Sequence, residues 1–175
     1  MKHFIITIAA SSLMLLSGGA AAQAPSDAQI ASIVVTANQV DIDAGKLAES
    51  KGSNAEVKAF GKQMVTDHSG VNKQAVALVT KLKVTPEDNA TSKSLKQGGV
   101  DNVKNLEKLS GAAFDKAYVD HEVAYHEQVL DAIDKTLIPS AQNAELKSLL
   151  VSVRPAFLAH LEHAKMLQST LAKKS

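Results

Sequence analysis

The chain has 175 residues, with 19 lysines plus arginines against 18 aspartates plus glutamates, six histidines, and neither cysteine nor tryptophan. A near-neutral surface with one arginine, Arg154, and only four phenylalanines and two tyrosines excludes the basic, base-stacking face that nucleic acid requires. The missing thiols exclude disulfides, a lipid-modified cysteine anchor and thiolate metal sites, so any metal would be held by imidazole and carboxylate.

Lys2, the apolar run from Phe4 to Leu16 and the small residues from Ser17 to Ala22 read as a secretory signal peptide over residues 1–22. Ala20-Ala21-Ala22 supplies the cleavage pattern, and Pro25 disfavours a cut after Ala24. A single domain over 23–175 should follow, periplasmic or secreted, with no transmembrane segment, because no later stretch has the ~20 apolar residues that span a bilayer. About 150 residues suffice for one real core.

Ser26-Asp27-Ala28-Gln29 predicts a capping box opening a first helix to about Ser50, stopped by Lys51-Gly52. Ser53-Asn54-Ala55-Glu56 predicts a second box and a helix to about Lys83. From Val84 to Ala113 the composition changes, with Pro86, Gly98-Gly99 and Gly111. Leu95, Val103, Leu106 and Leu109 there predict short helices packed over a bundle. A third helix is expected from Phe114 to Leu137, closed by Pro139-Ser140, and a fourth from Ala141 to Leu171, kinked at Pro155. Residues 172–175 read as a solvated tail. Two hairpins joined by a long, partly helical crossover is the connectivity of an all-α, ferritin-like four-helix bundle. Asn54-Ala55-Glu56-Val57-Lys58 echoes faintly as Asn143-Ala144-Glu145-Leu146-Lys147.

Counted in steps of three and four, each helix carries an apolar stripe broken by one polar residue. Ile30, Val34 and Ala37 lead to Asp41; Phe60 and Met64 lead to His68; Val119 and Val123 lead to His126; Val153 and Phe157 lead to His160. Burying an unpaired polar group costs about 1–3 kcal/mol, so four such groups must partner one another, a metal or water. Glu122 one turn before His126, and His163 one turn after His160, extend the candidate metal set to Asp41, His68, Glu122, His126, His160 and His163. With the second turn placed near Pro139, His126 and His160 differ in height by roughly 10 Å, which favours Glu122 with His160 and leaves His126 as an outer ligand. Asp41 and His68 differ by roughly 6 Å. Asp43, Asp120 and His121 are expected in solvent. Asp67 is either exposed or orients a neighbour, and Tyr118 and Tyr125 are packing residues whose hydroxyls need partners.

Met64-Val65-Thr66-Asp67-His68, Phe114-Asp115-Lys116-Ala117-Tyr118 with His126, and His160-Leu161-Glu162-His163-Ala164 together resemble an exported bacterial family of unknown function, DUF 4142. The likeness covers about Ala28 to Leu171. It implies a ferritin-like fold and an exported location, and members are often labelled outer-membrane proteins. Ferritin-like proteins often place a glutamate three residues before each of two metal-binding histidines. Val65 and Phe157 stand at those positions here, so ferroxidase or oxygenase activity is not carried over.

Neither a G-x-S-x-G elbow nor a phosphate loop is present, and no catalytic residue or organic cofactor is expected. The first expectation is an exported metal-binding bundle in metal handling or envelope stress defence, binding zinc, iron, copper or nickel. The alternative is a non-enzymatic interaction module with an envelope protein partner and a metal-free histidine network. Oligomeric state stays open in both readings.

Overall fold

The structure, a computed structural model, describes residues 24–174. The expected signal segment, residues 1–22, lies outside the described residues. Helix α1 (Asp27–Lys51) opens on the expected capping box, with Ser26 and Gln29 exchanging backbone and side-chain bonds. Helix α2 (Ala55–Leu82) is capped by Asn54, not by Ser53, and the αL residue Lys83 ends it. The Ser53 hydroxyl is engaged elsewhere, by Asp115.

The crossover is one continuous helix, α3 (Ala90–Glu107), rather than several short ones. Asn89 and Ser92 cap each other, and the Gly98-Gly99 pair does not break the helix. Gly99 instead lets α3 lie down on α1, since a Cβ there would stand 2.6 Å from a Val40 methyl. Helix α4 (Gly111–Ala132) continues through a π-helical turn, Ile133–Leu137, into a closing turn, α5 (Ile138–Ser140). Helix α6 (Ala144–Lys174) runs unbroken past Pro155. The missing proline N–H removes the usual helical donor to the carbonyl of Val151, an exposed residue. Residues 172–174 of the expected tail continue the helix, with Ala172 and Lys173 exposed, and Ser175 lies outside the described residues.

Helix α1 pairs with α2 and α4 with α6, the hairpins close through α1–α4 and α2–α6, and α3 covers α1. The crossover carries the chain back along the bundle, so all four neighbouring pairs run antiparallel. No strand occurs among the described residues, and no described helix is long and apolar enough to cross a membrane. This is the expected all-helical, four-helix bundle with a helical crossover.

Each hairpin turn is fastened by an aspartate of the other hairpin. Asp115, near the start of α4, accepts from the backbone N–H groups of Ser53 and Asn54 at 2.9 Å each, and from the Ser53 hydroxyl. Asp27, at the start of α1, accepts from the N–H groups of Gln142 and Asn143, also at 2.9 Å each. The repeated Asn-Ala-Glu string is thus explained locally: Asn54 and Asn143 both cap a helix behind a clamped turn.

The core divides into two apolar clusters along the bundle axis. One, near the Asp27 end, centres on Ile30, Leu130, Leu150 and Phe157; the other centres on Phe60, Met64, Phe114 and Tyr118. Between them lies a polar layer.

Candidate functional site

Asp41 from α1, His68 from α2, Glu122 and His126 from α4 and His160 from α6 are all buried, none more than 3% exposed. Each stands where its helix's apolar stripe passes through the layer. One nitrogen from each of His68, His126 and His160 lies within 4.8 Å of the others, and the rings stand 5.2–5.7 Å apart, centroid to centroid. A second group shares His126: one atom each of Asp41, Glu122 and His126 again lie within 4.8 Å of one another.

His126 and His160 therefore share one cluster, contrary to the expected 10 Å offset. The hairpin turns at Ala141 to Asn143, past Pro139, which brings the two to within about two residues of the same height, roughly 3 Å. The π-helical turn, carrying one extra residue, alters the register between them. Glu122 joins Asp41 and His126 rather than pairing with His160.

Every imidazole is held by one nitrogen. His68 Nδ1 sits 2.7 Å from the Asn38 side-chain oxygen, whose amide nitrogen donates to the Val34 carbonyl, so Oδ1 accepts and Nδ1 carries the proton. His126 Nδ1 donates to the Glu122 backbone carbonyl at 3.0 Å, and His160 Nε2 to the Asp67 carboxylate at 2.9 Å. These bonds leave His68 Nε2, His126 Nε2 and His160 Nδ1 as buried lone pairs with no partner in the protein. Such fixing of one ring nitrogen by an outer acceptor is how metal-ligating histidines are oriented.

The carboxyls are equally unserved. No N–H group and no hydroxyl of another side chain bonds to either oxygen of Asp41 or of Glu122, and the two carboxyls have only each other as hydrogen-bond partners. Burial first, and then the neighbouring Glu122, push the Asp41 carboxyl well above its usual range. Burial, with His126 and His160 adding, lowers His68 from 6.5 to about 2. The 3.5 Å approach of His68 to Asp41 is consequently not an ion pair, because the imidazole is neutral. Burial lowers His126 as well, against the pull of Glu122. In the metal-free cluster a proton on Asp41 relieves the crowding of the two carboxyls, and the three lone pairs stay unserved. The donor set of imidazole nitrogen and carboxylate oxygen fits a first-row divalent ion.

His163 is not in the cluster; it is half-buried, its ring 4.9 Å from that of Phe60. His121 is not in solvent either: it is 27% exposed, stacks on Tyr125 and comes within 3.9 Å of Glu122. Asp43 is exposed, as expected. Asp67 takes the orienting role, half in solvent and bonded to His160. The Tyr125 hydroxyl donates to the Ala37 carbonyl at 3.1 Å, while that of buried Tyr118 has no partner.

Asn38 was not legible in the sequence. It lies beside the Asp41 stripe on the side facing α2, where its side chain meets His68, and is 1% exposed. Its spacing of four residues from Val34 and three from Asp41, which sets it at the edge of the buried stripe, was the available signal.

No curated protein and no solved structure matches the chain. A family model described as a domain of unknown function, DUF4142, matches residues 15–167. With most of its length so matched, the chain belongs to the DUF4142 family.

Proposed function

We propose that this protein is an exported metal-binding bundle that holds a divalent transition ion between His68, His126 and His160, with Asp41 and Glu122 as neighbouring carboxylates. The observation that carries the reading is the arrangement of the imidazoles: each has one nitrogen fixed by an acceptor and the other buried without a partner, in one tight group. A metal-free hydrogen-bond network would use one nitrogen of each ring and leave the other desolvated, at about 1–3 kcal/mol apiece. A bound cation would lower the Asp41 carboxyl again and balance both acids. Zinc, iron, copper and nickel all suit these donors. The reading includes a role in metal handling or envelope stress defence, supported by the signal-peptide pattern of residues 1–22 in the sequence.

Untagged protein is purified, stripped with chelator, reloaded with each metal in turn, and subjected to elemental analysis. The reading expects one ion per chain, lost in His68→Ala and His160→Ala variants that retain helical circular dichroism. Sub-stoichiometric metal after reloading overturns it in favour of an interaction module.

A further inference from the structure

Beneath the histidine layer the bundle holds a cavity of 220 Å³, open at one side, whose inner wall is formed by Phe157, Asn38, Val71 and Leu150. Phe157 separates it from the cluster: its ring is 4.9 Å from that of His68 and 6.1 Å from those of His126 and His160. Asn38 is the second partition, its polar atoms turned to His68 and the Val34 carbonyl. On the far side the cavity is bounded by Ile133 and Leu137 of the π-helical turn. Turns of this kind are frequent at functional sites.

The rim lies where α3 and α4 meet only sparsely, between exposed Thr91 and Gln128. No charged side chain lines any part of it. We infer that this cavity is a binding site for a small uncharged molecule with an apolar body and one neutral hydrogen-bonding group, the body against Phe157 and the polar end at Thr91 and Gln128.

The size agrees: a dry apolar cavity of about 150 Å³ takes benzene, and this one is larger. The chemistry agrees too. An anion or cation would lose its water with no counter-charge in the walls, whereas a hydroxyl at the rim keeps a partner. The inference goes beyond the metal reading and does not depend on it.

Toluene, p-cresol and benzoate are titrated into chelator-treated full-length protein, read by calorimetry and by the methyl resonances of Val71 and Leu150. Toluene and p-cresol are expected to bind one per chain, p-cresol at least as tightly, with benzoate not binding. Ala132→Leu, which fills the cavity from its wall, should weaken both neutral probes at least ten-fold. Thr91→Phe, an exposed rim substitution, should do likewise if the first variant fails to fold. Absence of neutral-probe binding, equal binding of benzoate, or undiminished affinity in a folded filled variant would overturn the inference. Because the measurement is made without metal, it stands or falls apart from the histidine site.

Discussion

Substituting alanine at two glycines of the same helix should have opposite effects. A Cβ at Gly61 would lie 2.7 Å from the Gly45 carbonyl oxygen, 2.8 Å from Ala48 Cβ and 2.9 Å from the Glu49 nitrogen, so α1 and α2 are in backbone contact there. Two of the three obstacles are backbone and the third is a Cβ, none of which can rotate aside. To restore an ordinary 3.4 Å contact the helices must separate by about 0.7 Å. A Cβ at Gly70 meets nothing within 4 Å. Alanine in a helix interior gains about 1 kcal/mol over glycine, and overpacking costs about 1–3 kcal/mol. Gly70→Ala should therefore raise stability by up to about 1 kcal/mol, while Gly61→Ala should fall about 1–3 kcal/mol below Gly70→Ala. Urea unfolding of the two variants side by side isolates the packing difference, since the helical gain is common to both. The same separation would stretch the 2.7 Å contact of Asn38 with His68, which spans these two helices. Equal stability of the two variants would refute the close crossing and the site geometry built on it.

Three further outcomes follow from the polar layer and the turns. In metal-free protein, His68 is held at about 2 against 6.5 when unfolded, so the unfolded chain binds the extra proton between those values. Its stability contribution is complete above about pH 6.5 and declines below, by about 2 kcal/mol between pH 7 and pH 5. Asp41 has the opposite sign: its folded carboxyl keeps a proton above 3.8, so its contribution falls as pH rises through the raised value. Urea unfolding of wild type against His68→Gln at both pH values separates the histidine, and a gap constant with pH would contradict its assigned burial. Asp67→Ala should weaken metal binding 10–100-fold by freeing the His160 ring, while Asp67→Asn, which can still accept from Nε2, should retain most of the affinity; calorimetric titration of the metal decides. Asp115→Ala, which orphans the Ser53 and Asn54 amides, should cost on the order of 2–3 kcal/mol in thermal unfolding with circular dichroism.

Helical periodicity carried the bundle and four of the buried polar positions, because Asp41, His68, His126 and His160 fall in phase with apolar neighbours that had to face inward. It could not carry their heights. Those depend on where a turn closes, and Pro139 is an early landmark for a hairpin that turns at Gln142. The π-helical turn at Ile133–Leu137 has no sequence signature of its own. Asn38 was hidden, and Asp67 stayed open between solvent and an orienting role, for a different reason: their roles arise from contacts between helices, and a stripe along one helix does not show what another helix brings to it. His163 was misplaced because it stands one turn farther along α6 than His160, at the height of Phe60 in the neighbouring apolar cluster and beyond the imidazoles.

The crossed clamps of Asp27 and Asp115 tie the two hairpins into a single act of folding. Neither half can finish its own bend, because the anion that neutralises the exposed amides of that bend belongs to its neighbour. A chain severed in the short link at Lys108 to Ser110 would release two incomplete pieces, each with a frayed corner and an unmatched acid. Mixed together, the fragments would find in one another the only surface able to supply both missing ends.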